Sequence, residues 1–125
     1  MPAPIIAAYD PLTDDRTPVE LALAVARSTG APLTVAAVLP WDDAVDTDLE
    51  VELEERAADA LQRLQADLGV ETRTLHELSV PAALHRTAHD EGAGLIVVGS
   101  TTRWPIGRVV TGSTAQRLLH GAPCP

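Results

Sequence analysis

The chain has 125 residues and a net charge of −9; apolar residues make up 46% of it, aromatic residues 2%, and cysteine occurs once. The length predicts a single domain over residues 1–125, and the lone cysteine excludes an internal disulfide and a cysteine-based zinc site. The acidic charge argues against a nucleic-acid partner, while short apolar runs and a start without a basic leader predict a cytoplasmic protein without membrane contact.

The first third of the chain predicts a strand, a helix and a second strand. Ile5–Ala8 and Leu33–Leu39 are short runs of small and branched apolar residues, which are typical of buried strands. Asp10-Pro11 ends the first of these runs. The segment TPVE at residues 17–20 is typical of a capping box with an early proline, so we expect a helix from there to Gly30.

The remainder of the chain continues this alternation. A long helix is predicted over residues 49–68, because apolar side chains recur there at helical spacing. Residues 70–75 predict a half-exposed strand near an edge of the sheet. Ser79 is typical of the cap of a third helix that runs to about Glu91. Residues 95–98 predict the most apolar strand, and residues 113–119 predict a last helix.

This order of elements predicts an α/β fold, in which an open parallel sheet has right-handed crossovers and helices on both faces. In such sheets a ligand binds beyond the carboxyl ends of the strands, where the strand order reverses. Asp10, Val38, Gly99 and Ser100 lie at or just past such ends. We therefore expect a ligand site at this edge of the sheet.

Two glycine–hydroxyl turns stand near the end of the chain. Gly99 follows a strand and precedes three hydroxyl residues, and the segment GST at 112–114 precedes a predicted helix. Glycine admits close approach or positive φ, and the free N–H groups of a helix start attract anions. The turns therefore predict a phosphate site, to which Arg103 and Arg108 supply charge. An ordinary turn and an ordinary helix cap explain the same residues, and this alternative stays open.

These residues carry a resemblance to a known family. The strand LIVVG at 95–99, the spacing from Gly99 to Gly112-Ser113, the ending LLHGAPCP and the first strand closing on Asp10 resemble the universal stress protein family. The resemblance implies a fold similar to that of adenine nucleotide alpha-hydrolases, with parallel strand order 3-2-1-4-5. It also implies an adenine-nucleotide site formed by Ala8, Asp10, Val38, Gly99, Ser100, Thr102, Arg103, Gly112, Ser113 and Thr114.

The same resemblance assigns a role to each part of this site. Asp10 and Val38 flank the adenine, Gly99 lies under the ribose and phosphates, and the Gly112 turn grips the phosphates. The sequence departs from the family pattern at Thr102, which replaces the middle glycine of the motif, and at Trp104-Pro105, which makes the loop bulkier. We therefore expect a weakened version of the family site.

The end of the sequence is a further departure. The chain stops at Pro125, before the short fifth strand that family members carry and often pair across a dimer. We expect this fifth strand to be missing or supplied from elsewhere, which leaves the edge of the fourth strand unpaired unless something covers it, and a partner chain is one candidate.

The leading hypothesis is a stress-response module, not an enzyme, that binds ATP or AMP with or without Mg²⁺ and forms a homodimer. The first alternative is a nucleotide-free dimeric interaction module, and the second is a slow ATP hydrolase. No catalytic constellation is evident. His85 and His89 lie one helical turn apart, but a solvated helix face explains them, and no metal site is predicted.

Overall fold

Strands and helices alternate along the computed structural model, which describes residues 2–11, 13–39, 48–77, 79–99 and 124–125. In these ranges they are β1 (Ile5–Ala8), α1 (Thr17–Thr29), β2 (Leu33–Leu39), α2 (Asp48–Leu68), β3 (Glu71–His76), α3 (Val80–Glu91) and β4 (Leu95–Val97). The predicted alternation is confirmed for these elements. The helix predicted over 113–119 lies outside the described residues. None of the described helices combines the length and the apolar content that a membrane span requires.

The sheet is parallel, with strand order β3-β2-β1-β4. β1 is central: Ile5 pairs with Leu33 of β2 on one side and with Leu95 of β4 on the other. This order agrees with the expected 3-2-1-4, and it places β3 at an edge, as its half-exposed pattern predicted. The Ile96 N–H donates to the carbonyl oxygen of Pro125 at 2.6 Å, so the last residue of the sequence lies beside β4.

Alternate residues of the strands face two separate apolar layers. On one face, Ile5 and Ala7 of β1 pack in a cluster that includes residues of α1 and α2. On the other face, Ile6 packs with Leu84 and Ala88 of α3. Because successive side chains of a strand point to opposite faces, β1, β2 and β4 each supply both layers. Helices thus cover both faces of the sheet, which confirms the predicted class and explains why these three strands are mostly apolar.

The start of α1 differs from the expected capping box. Thr17 is the first helical residue, and Arg16 at the cap position makes no side-chain capping bond. Instead, the Asp15 carboxylate accepts a hydrogen bond from the Thr17 N–H, with 3.1 Å between Oδ1 and N. The capping-box prediction is therefore wrong, because a carboxylate two residues upstream satisfies a free N–H of the helix start.

The other helix ends agree with the sequence signals. The Ser79 hydroxyl caps α3 by accepting a hydrogen bond from the Ala82 N–H at 3.3 Å. Gly30 and Gly92 end α1 and α3 with φ values of 75° and 64°, a left-handed conformation that glycine adopts without steric penalty. These caps stop each helix where the chain must return to the sheet.

One position on the predicted inner face of α2 is exposed. Ala57, Ala60, Leu61 and Leu64 are buried as expected, but Leu49 is 63% exposed. The helix has 21 residues and is therefore about 31 Å long, whereas β2 has seven and spans about 23 Å. Because α2 is longer than β2, β2 cannot lie beneath its whole length, which is consistent with the exposure of Leu49 in its first turn.

The packing predicts that truncating two leucines has very different effects on the free energy of unfolding. Leu64→Ala removes a side chain that is fully buried, and we expect the free energy of unfolding to fall by about 2–5 kcal/mol. Leu21→Ala is the matched control: Leu21 is 58% exposed on α1, so its truncation should cost at most about 0.5 kcal/mol. Urea unfolding followed by circular dichroism measures both values, and equal losses would contradict this assignment of the core.

Candidate functional site

Predicted site residues lie side by side at the carboxyl edge of the sheet, which is the side on which its parallel strands end. The β1–β2 register pairs Ala8 with Ala36, and the Tyr9 N–H extends the ladder by donating to the Ala36 carbonyl at 3.0 Å. Asp10 therefore leaves β1 beside Val38 of β2. Two of the predicted adenine contacts thus lie on adjacent strand ends, which are separated by about 4.8 Å in such a sheet.

Gly99 reaches the same edge from the other side of β1. Ala7 pairs with Val97 of β4, so Gly99 lies level with Tyr9. The chain passes from β1 to β2 on one side and later returns to β4 on the other. This edge is therefore the point where the strand order reverses, and a parallel sheet opens a ligand crevice at that point.

The burial of these residues gives the edge an apolar base and a polar rim. Ala8 and Val38 are half-buried and pack against the same apolar cluster as Ile6. Asp10 and Gly99 are exposed. An apolar base with a few polar groups at its margin suits a flat ligand that has both apolar faces and polar edges.

Gly99 is packed against the start of α1. A Cβ atom at this position would lie 3.3 Å from Cγ of Pro18 and 3.5 Å from Oδ2 of Asp15. Gly99 is not among the described glycines with positive φ, so the backbone freedom expected of it is not used. Its missing side chain instead gives room for the helix start and for the Asp15 carboxylate beside the strand exit.

The remaining predicted contacts lie in residues 100–123, which are outside the described residues. They are Ser100, Thr102, Arg103, Gly112, Ser113 and Thr114, and Trp104-Pro105 belongs to the same segment. Their assignment to the phosphates stays a prediction. The structure places the other four predicted residues, Ala8, Asp10, Val38 and Gly99, at or next to a single edge.

A polar cluster that the sequence did not predict braces the loop between β1 and α1. The Tyr9 hydroxyl donates to Oδ1 of Asp14, and Nε of Arg16 donates to the same oxygen at 3.2 Å. Nη1 of Arg16 also binds Oδ2 of Asp67 on α2 at 2.8 Å. Asp14 has a φ of 52°, which costs a non-glycine residue about 1 kcal/mol or more, and these contacts hold it in that conformation.

The cluster also changes the acid–base chemistry of its members. Burial, followed by the hydrogen bond to Asp14, raises the pKa of Tyr9 to about 12. The Tyr9 hydrogen bond, followed by that of Arg16, lowers the pKa of Asp14. The only sequence signal for the cluster was the acidic pair Asp14-Asp15, which is also typical of a solvated loop, and Asp67 lies 51 residues from Arg16.

The sequence also offers histidines and one cysteine as candidate reactive groups. Within the described ranges, no group of three or more histidine, cysteine or acidic side chains is arranged to hold a metal ion. Nε2 of His85 is buried without a hydrogen-bond partner among the described residues. Burial raises the pKa of the Cys124 thiol, which is opposite to the change that activates a cysteine.

The fold and its switch-point edge define a doubly wound α/β domain. The model of the universal stress protein family matches residues 1–125, and the chain belongs to that family. Universal stress proteins of Mycobacterium tuberculosis and Mycobacterium bovis are each 35% identical to it over 118 residues, which cover 84% of this chain and 40% of the relative. The chain therefore spans well under half the length of these relatives.

Solved structures of the family have the same architecture. UspA from Lactobacillus plantarum superposes with a TM-score of 0.75 at 24% identity, covering 98% of this chain and 93% of that one. A universal stress protein from Archaeoglobus fulgidus gives a TM-score of 0.70 at 25% identity, covering 100% and 96%. A further structure from that organism, in complex with dAMP, gives 0.68 at 23% identity, covering 98% and 94%.

The acid–base chemistry of Tyr9 gives a direct spectroscopic prediction. Tyr9 is the only tyrosine in the chain, so the near-ultraviolet absorbance of tyrosinate reports on this side chain alone. We expect its titration midpoint at about pH 12 rather than at about 10, the value of an exposed tyrosine. Asp14→Asn should shift the midpoint toward 10 but not reach it, because burial is the larger cause.

The sign of the linked stability follows from the same values. The folded-state pKa of Tyr9 is raised, so its contribution to stability is fully present below pH about 10 and is lost as the pH rises toward 12. Circular dichroism during the titration separates ionisation of the folded protein from unfolding. A midpoint near 10 in a protein that is still folded would contradict the placement of Tyr9.

Proposed function

We propose that this domain binds an adenine nucleotide at the carboxyl edge of its sheet and acts as a regulatory module rather than an enzyme. The observation that carries the proposal is the convergence of Asp10, Val38 and Gly99 at the strand-order reversal. Asp10 supplies a hydrogen-bond acceptor for the exocyclic amine or the ribose, and Val38 supplies an apolar contact for the base. The dAMP complex of a structural relative favours adenine as the base.

The finer parts of the proposal concern the phosphates and the assembly. AMP or ATP, with or without Mg²⁺, binds with its phosphates on the Gly99 side, where the predicted contacts Ser113 and Thr114 supply N–H and hydroxyl donors. We further propose that the protein is cytoplasmic and forms a homodimer. We propose that the domain signals by being occupied or empty, and that a partner protein recognises the occupied state.

The test measures nucleotide binding by calorimetry, together with chromatography of the nucleotide released when purified protein is denatured. We expect AMP or ATP to bind, and we expect Asp10→Ala to weaken binding about tenfold, which corresponds to about 1.4 kcal/mol for a lost hydrogen bond to a charged group. Asp90→Ala is the matched control, because Asp90 is exposed near the end of α3, at the opposite edge of the sheet.

Several outcomes would contradict the proposal. If neither nucleotide binds at millimolar concentration, the domain is better described as a nucleotide-free interaction module, and its dimerisation becomes the property to study. If phosphate is released steadily from ATP, and Asp10→Ala abolishes that release, the module is a slow hydrolase. Equal weakening by Asp10→Ala and Asp90→Ala would place the site elsewhere.

A further inference from the structure

The carboxylate of Asp15 caps the start of α1, at the carboxyl edge where the nucleotide is proposed to bind. Oδ1 of Asp15 accepts the hydrogen bond of the Thr17 N–H at 3.1 Å. The first free N–H of the helix is therefore already satisfied by a protein carboxylate. A phosphate group placed at this helix start would have to displace Asp15 or lie beside its negative charge.

The second oxygen of the same carboxylate lies beside the strand exit. Oδ2 of Asp15 would be 3.5 Å from a Cβ atom on Gly99, and a carbon–carbon bond adds about 1.5 Å. Oδ2 therefore lies within about 5 Å of the Gly99 Cα. Gly99 begins the turn that is proposed to face the phosphates, so the proposed complex places the phosphates near this carboxylate.

Among the described residues, no cation is paired with the Asp15 carboxylate. Arg16, the nearest cation in the sequence, is bound to Asp14 and to Asp67. Within the described ranges Asp15 forms no ion pair, and its one hydrogen bond is to a backbone N–H. Asp14 is exposed on the same loop, and the charges of Arg16 and Arg63 act on its carboxylate.

We infer that Asp15 is a specificity-determining residue that makes this site favour a nucleoside monophosphate over a metal-free triphosphate. This inference rests on the proposed nucleotide site. Each further phosphoryl group adds about one negative charge at neutral pH, and like charges repel most strongly where water is partly excluded. The carboxylate therefore disfavours a polyphosphate tail more than a single phosphate. A divalent cation on the tail removes much of the difference, because it offsets the phosphate charge.

The test compares the dissociation constants of AMP and ATP in the presence of a chelator, for the full chain and for Asp15→Asn. Asparagine keeps an oxygen that can accept the Thr17 N–H, so the helix start is preserved while the charge is removed. We expect the ratio of the ATP to the AMP dissociation constant to fall about three- to tenfold in Asp15→Asn. The change should shrink when salt is raised from about 0.05 M to about 0.5 M, and when Mg²⁺ replaces the chelator.

Asp90→Asn is the matched control, because it changes the net charge by the same amount at the opposite edge of the sheet. Its ratio should equal that of the unchanged chain. If both nucleotides bind and the ratio is the same in Asp15→Asn, the inference fails while the proposed function stands. If no adenine nucleotide binds to either protein, the proposed function fails and this inference fails with it. An equal change of this ratio in Asp90→Asn would mean that the net charge of the protein, and not the position of Asp15, sets the preference between the nucleotides, and the inference would fail.

Discussion

The pairing of β1 on both of its edges is the constraint on which the rest of the structure depends. Ile6 and Ala7 of this strand are fully buried, and the strand is held between β2 and β4. Because β1 is central, the chain must leave it toward β2 and later return on its other side. That reversal sets the exits of β2, β1 and β4 side by side, and it is the reason that three widely separated residues reach one edge.

The loop between β1 and α1 determines which polar groups lie at this carboxyl edge. It is held by Tyr9, Asp14 and Arg16 on one side, while Asp15 is held at the start of α1. This arrangement places the Asp15 carboxylate beside Gly99, and this carboxylate accepts the first N–H of the helix. The described part of this edge thus carries acidic side chains, which is consistent with the net charge of −9 of the whole chain. If a nucleotide binds here as proposed, we expect electrostatics near the phosphates to contribute to the choice of nucleotide.

The sequence predicted the described elements because apolar periodicity, run length and the flanking glycine and proline residues agree for most of them. β2 is seven apolar or small residues, and a segment so short and so continuous fits a strand covered on both faces. The start of α1 was mispredicted because Thr17 and Asp15 both satisfy helix-cap rules, and only the backbone path decides between them. The contact of Arg16 with Asp67 depends on where α2 lies relative to the loop before α1. No local sequence pattern predicts a contact between residues 51 positions apart. The contact, and the position of the loop carboxylates beside the proposed site, therefore became evident only from the fold.

The central claim is that an adenine nucleotide binds where β2, β1 and β4 end, and backbone NMR tests it most directly. During titration with AMP, we expect the amide resonances of Ala8, Asp10, Val38 and Gly99 to move together with one saturating concentration dependence. The resonances of Asp90 and Gly94, at the amino edge of the sheet, should stay in place. Shifts confined to the amino edge, or no shifts at saturating nucleotide, would contradict it.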